Sequence, residues 1–130
     1  MTAAQTLSAG ANRRSGGRVL VDQLLIHGAD MAFHVPGESF LDALDAMHDQ
    51  AARLKLVTCR HEATASHMAE AHGKLTGRPG VCFVTRGPGA AHAMIGIHTA
   101  FQDSTPMILF VGQIERATRD REAFQEIDIK

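Results

Sequence analysis

The sequence predicts an α/β fold of three layers, α/β/α, in which an open parallel sheet is covered by helices on both faces. Three observations lead there. Helix-like and strand-like stretches alternate four times between residues 18 and 112. The strand-like stretches are continuous apolar runs, the pattern of strands buried on both sides. Gly and Pro punctuate the handovers, at Pro36-Gly37, Gly77-Arg78-Pro79-Gly80 and Gly87-Pro88-Gly89. A chain of 130 residues closes one sizeable core, so one domain is expected.

Residues 1–17 are rich in Ala, Ser, Thr, Gly and Asn and carry Arg13-Arg14 with no acidic residue, so they read as a flexible leader to a domain over residues 18–130. From Arg18, the apolar residues Val19, Leu20, Leu24 and Leu25 define a helix that Gly28 caps. Met31 to Val35 reads as a strand ending in Pro36-Gly37. Phe40, Leu41, Leu44, Met47 and His48 recur at helical spacing, predicting a helix over residues 38–49 with Ser39 as its cap. Leu54 to Cys59 is the second strand, and Glu62 to about Thr76 is a Pro-free helix with a small-residue inner face. Val81 to Val84 is the third strand. The turn Gly87-Pro88-Gly89 then leads to a stripe of Ala90, Ala93, Met94, Ile97 and Phe101. Met107 to Val111 is the fourth strand, and the polar tail after Glu115 has Phe124, Ile127 and Ile129 as isolated anchors.

Composition narrows the function. The chain is 45% apolar and 21% charged, with aromatics at 5%, so small and branched residues do the packing. Thirteen Lys+Arg against fourteen Asp+Glu give a net charge of -1, and Trp and Tyr are absent; neither a field nor stacking platforms exist for nucleic acid. Cys59 and Cys82 lie in apolar runs and fit a reducing, cytoplasmic setting. Apolar stretches of about seven residues or fewer fall far short of a membrane span.

In an open parallel sheet, ligands are taken at the carboxyl ends of the strands. The loops there are Pro36-Gly37-Glu38, Arg60-His61-Glu62, Arg86-Gly87-Pro88-Gly89 and Gly112-Gln113. Glu62 stands where the second strand hands over to a helix. Helix amides favour its carboxylate and partial burial opposes it, so the group either shares a proton with a ring nitrogen or is an ordinary surface carboxylate. Gly87-Pro88-Gly89 either lets a ligand approach the backbone or simply turns the chain. GxGxxG and GK[ST] are both missing. His61-Glu62 lacks HExxH spacing, and His67 and His72 face different sides of one helix, so no metal held by this chain is expected. No nucleophile elbow surrounds Ser39 or Ser104.

Taken in order, the stretches His34-Val35-Pro36-Gly37, Cys59-Arg60-His61-Glu62, His67-Met68-Ala69-Glu70, Val84-Thr85-Arg86-Gly87-Pro88-Gly89, Gln102-Asp103-Ser104-Thr105-Pro106 and Ala123-Phe124-Gln125-Glu126-Ile127-Asp128 resemble a known domain. It is the N-terminal pyrimidine-binding domain of thiamine diphosphate enzymes of the acetolactate synthase-like group. The likeness runs over roughly residues 17–129. It implies the thiamine diphosphate-binding fold, cut to the first four of six strands in the order 2-1-3-4-6-5. It implies that Glu62 contacts the pyrimidine ring nitrogen and stabilises the reactive imino form. Pro36, Gly37, Gly87, Pro88 and Gly89 would border the cofactor, and His92, Phe124 and Gln125 would line the active site.

The implied reaction is decarboxylation of a 2-oxo acid such as pyruvate, followed by transfer to a second 2-oxo acid or by protonation, so lyase and transferase chemistry are both in view. Two departures bear on the substrate: Ala91-His92 stands where Thr-Asn is common, and Glu38-Ser39 replaces a Gly-rich continuation. His92 is either packed between helices or in the cleft. The family places the diphosphate and its Mg2+ on a C-terminal domain with a GDG-type motif, which these residues do not contain, so Mg2+ is expected only with that domain and the 130-residue chain alone is expected to be inactive. The family site lies between subunits, implying a homodimer or homotetramer contacting through residues 62–76 and 90–101; the same small residues would equally serve internal packing. The alternative function is a noncatalytic α/β association or small-ligand-binding module, flavodoxin-like modules included.

Overall fold

The computed structural model describes residues 13–128; the expectations for residues 1–12 and for Ile129 lie outside them. Eight elements follow in strict alternation: α1 (Gly16–Ile26), β1 (Met31–His34), α2 (Leu41–Asp49), β2 (Lys55–Thr58), α3 (Glu62–Thr76), β3 (Gly80–Val84), α4 (Gly87–Gln102) and β4 (Met107–Val111). The four strands are parallel and stand in the order β2-β1-β3-β4, the order expected of the first four.

Period-two alternation along the central strands divides the core between the two faces. Ala32, Val81 and Phe83 point to one side and meet Val21 and Leu24 of α1 and Ala43, Ala46 and Met47 of α2. Phe33, Cys82 and Val84 point to the other and meet Ala65 and Ala69 of α3 and Ala93 of α4. All five residues of β3 are buried, which accounts for its unbroken apolar run. No helix among the described residues is long and apolar enough to cross a membrane.

Several local expectations change. α1 opens at Gly16, where the Ser15 side chain accepts from the Arg18 amide, and it closes with Ala29 N–H to Leu24 C=O and Gly28 N–H to Leu25 C=O, a Schellman ending. Residues 38–49 are two pieces, a 3-10 turn at Glu38–Phe40 and then α2. Ser39 caps neither, because its hydroxyl bonds Thr85 Oγ1 at 2.9 Å across the sheet end. Gly87, Pro88 and Gly89 do not precede α4 but form its first turn, where a Pro without N–H loses no intrahelical bond.

The buried stripe of α4 is only in part the one expected, through Ala90 and Ala93. Gly89, Ala90, Ala93, Gly96 and Ala100 face inward, while Met94 and Phe101 are exposed. The reason is close approach of α3, where Ser66 lies directly against Gly96. Small residues therefore face the partner helix, and the bulky apolar ones are left outside. In the tail, Phe124 and Ile127 are exposed and anchor no core.

Candidate functional site

Three strand-end loops meet above β1, β3 and β4. A side chain at Gly37 would begin 2.7 Å from Thr85 Cβ, and one at Gly112 would overlap Ser39, so the loops pack backbone to side chain. Pro36 is exposed beside this contact. Arg86, whose side chain is mostly buried, pairs with Glu38 and holds its guanidinium 5.8 Å from the Phe124 ring centroid. The tail returns here too, since Gly87 is pressed against the backbone carbonyl of Gln125. That tail turn is held by the Glu126 carboxylate, which accepts from the amides of Asp120 at 2.7 Å and Ala123 at 2.9 Å; these bonds hold its carboxyl below the usual range.

Glu62 is the first residue of α3, immediately beyond the loop that leaves β2. The preceding residue, His61, is the N-cap, its Nδ1 accepting from the Ala63 amide at 3.1 Å. The Glu62 side chain is 13% exposed and its Oε2 lies 3.0 Å from His92 Nδ1, on the second turn of α4. The rings of His61 and His92 stack with centroids 4.7 Å apart. Oε1 has no hydrogen-bond partner among the described residues and looks toward Gly89, where an added Cβ would stand 3.5 Å from it. A half-buried carboxylate thus keeps one acceptor oxygen open beside a position without a side chain. Such an oxygen can bond a ring N–H or share a proton with a ring nitrogen.

Residues 14–130 match the family model of the thiamine pyrophosphate enzyme, N-terminal TPP binding domain. The chain belongs to that family. It is 40% identical over 136 residues to the acetolactate synthase large subunit of Parasynechococcus marenigrum (strain WH8102), a match covering 99% of this chain and 22% of that one. It is 40% identical over 119 residues to the acetolactate synthase of Arthrospira platensis, covering 90% of this chain and 21% of the relative. For the large subunit of Pyropia yezoensis the figures are 38% over 121 residues, 92% and 20%. The chain therefore spans about a fifth of the length of these curated relatives.

The TPP-binding domain brings Glu62, Gly89, His92 and His61 together at one end of the sheet, and Gly37, Arg86, Gly87, Phe124 and Gln125 around a second group of loops at that end. Pro88 is exposed on the first turn of α4. His92 is not packed between helices: its side chain is 54% exposed and bonded to Glu62. The sequence places His61 in a strand-end loop but does not announce its stack on His92 or the His92–Glu62 bond, because the partner on α4 lies 30 positions from Glu62. Nor does it announce His34, which is 3% exposed at the end of β1. Its Nε2 bonds Thr58 Oγ1 at 2.8 Å, its Nδ1 is buried without a partner, and burial holds its pKa below the usual histidine value. Cys82 is fully buried, its thiol pushed up to about 12 by desolvation, so it is packing and not a nucleophile.

Proposed function

We propose that this chain is the aminopyrimidine-binding part of a thiamine diphosphate-dependent enzyme acting on a 2-oxo acid such as pyruvate, with acetolactate synthase as the nearest functional type. The observation that carries the reading is the open Oε1 of Glu62, beside Gly89 at the mouth of β2. An aminopyrimidine edge offers what this oxygen lacks. Bound there, the cofactor supplies a carbon nucleophile for the 2-oxo acid carbonyl.

The protein's own part is positional and acid–base. Glu62 holds or yields a proton at Oε1, while His92 holds Oε2 and so fixes the carboxylate plane. The N-terminus of α3 steadies the charge when that proton leaves. Thr85, Gly37 and Ser39 fix the loops that would border the ring. The oxygen donors that Mg2+ favours are not gathered in this cluster of two imidazoles and one carboxylate, which agrees with assigning Mg2+ and the diphosphate to a separate domain. Without that domain the 130 residues lack the charge-neutralising half, and the isolated chain is expected to be inactive.

Exposed Met68 on α3 and Met94 and Ile95 on α4 support self-association through this pair of helices. The small residues first considered for that role are spent on internal packing, as Ser66 against Gly96 illustrates. Soluble cytoplasmic residence remains part of the same reading.

The test is the full-length gene product and its Glu62→Gln form, assayed for thiamine diphosphate-dependent pyruvate consumption. Loss of consumption in the variant, with cofactor-dependent turnover in the parent, is the expected result. Equal turnover in both would reject the role given to Glu62 and favour a noncatalytic binding module.

A further inference from the structure

We propose that His61, Glu62 and His92 form a binding site for a borderline divalent transition metal, with Zn2+ the best fit. One donor atom from each residue lies within 4.8 Å of the others, and among the described residues this is the only such trio of His, Cys, Asp or Glu. Two imidazoles and one carboxylate are the donor set of zinc, and a poor one for Mg2+ or Ca2+. The reading of the sequence expected no metal because it sought ligands at local spacing. The fold supplies the third ligand from another helix.

The distances set what must move. Zinc bonds of about 2.0–2.1 Å in a tetrahedral shell place donors roughly 3.3 Å apart, so no separation need close by more than about 1.5 Å. Glu62 is held by the start of α3, but His61 and His92 are exposed, and their rings can turn about their own torsions without disturbing the core. Their parent helices are fixed to one another where Ser66 meets Gly96. The solvent side leaves the fourth position to water.

Two existing interactions are exchanged on binding. The ion replaces the proton between His92 Nδ1 and Glu62 Oε2. His61 Nδ1 now accepts from the Ala63 amide, so coordination through that nitrogen releases the amide from its cap. The positive end of α3 opposes a cation here, and the Glu62 carboxylate offsets it. Glu62 is therefore both a ligand and the charge the site requires. Metal binding needs neither cofactor nor another domain, so it stands or falls apart from the function proposed above.

The experiment titrates the 130-residue chain with ZnCl2 by calorimetry and with CoCl2 by visible absorption, and follows the Ala63 amide by 1H–15N correlation. One ion per chain, a four-coordinate Co2+ spectrum and a displaced Ala63 resonance are expected. His61→Gln and His92→Asn should each weaken binding by at least about tenfold, and Glu62→Gln by no less. A His67→Asn/His98→Asn double variant, altering exposed histidines outside the trio, should bind as the parent does. The proposal is overturned by absence of zinc binding, by an Ala63 amide that does not respond, by unchanged affinity in His92→Asn, or by an equal loss in the double variant.

Discussion

Two carboxylates stand on α3 about two turns apart, and their surroundings differ. Glu70 is 9% exposed in its side chain and doubly held at one oxygen, Oε1: Thr105 Oγ1 donates to it from 3.2 Å, and Lys74 Nζ stands 3.1 Å from the same atom while also reaching Asp103 at 2.5 Å. The acidic partners hold the Lys74 ammonium above its ordinary pKa. This set ties α3 to the segment between α4 and β4. Glu62 is nearly as sheltered, yet its one side-chain partner is the exposed imidazole of His92. Burial alone does not separate the two carboxylates, and neither does the number of bonded oxygens, one in each; the identity of the partners does.

The sharpest way to break that contrast is to neutralise each group in the full-length enzyme. Glu62→Gln keeps shape and removes the exchangeable proton. A loss in kcat/KM of roughly 100-fold or more, about 2.7 kcal/mol, is expected. Its thermal midpoint should stay close to the parent's. Glu70→Ala should do the reverse, losing about 1–3 kcal/mol of stability because Thr105 is left without its acceptor and Lys74 with Asp103 alone. Chemical denaturation measures this, and activity per folded molecule should hold. A Glu62→Gln protein that melts early, or a Glu70→Ala protein that is stable but slow, would show that the two duties are not separated.

A smaller effect tests whether the loops around the site are held by specific bonds. Ser39→Ala removes the hydroxyl that bonds Thr85, part-buried between the β1 and β3 loops. The expected cost is about 1 kcal/mol, with a similar cost for Thr85→Val and little more for the pair together. Full additivity in that double-mutant cycle would mean the bond is not what fixes the loops.

The same contrast explains what was legible beforehand. Strand positions and the order of elements follow from apolar runs and Gly/Pro punctuation, which are local signals, and the strand ends moved by only a residue or so at β1 and β2. The position of Glu62 was legible for the same reason. The helix faces are less so: of the stripe expected on α4, Ala90 and Ala93 are buried but Met94 and Phe101 are exposed, because this interface selects for small side chains or none, whereas large apolar residues ordinarily seek the core. The place of Ser39 in the sequence predicts a cap, but its hydroxyl bonds Thr85, 46 positions away. The partners of Glu62 and Glu70 likewise sit on other elements, so the feature that distinguishes the two carboxylates exists only after folding.

The least effect at neutral pH belongs to His34, and it extends the comparison to a buried base at the end of β1. Its Nδ1 has no partner and burial disfavours its charged form, so the folded-state pKa lies below the unfolded one. Below about pH 6.5 the unfolded chain takes up a proton at this residue that the folded chain refuses. Since the unfolded state then binds more protons, stability rises with pH through this window and falls on acidification, by at most about 1.4 kcal/mol per pH unit for one group. Above the unfolded pKa the contribution is flat. His34→Gln should therefore unfold with a weaker pH dependence than the parent between pH 7 and 5, the difference between the two curves isolating this group from the other histidines. Parallel curves would mean that water or a shifted ring reaches Nδ1 in acid, and that His34, like Glu62, keeps a proton site open.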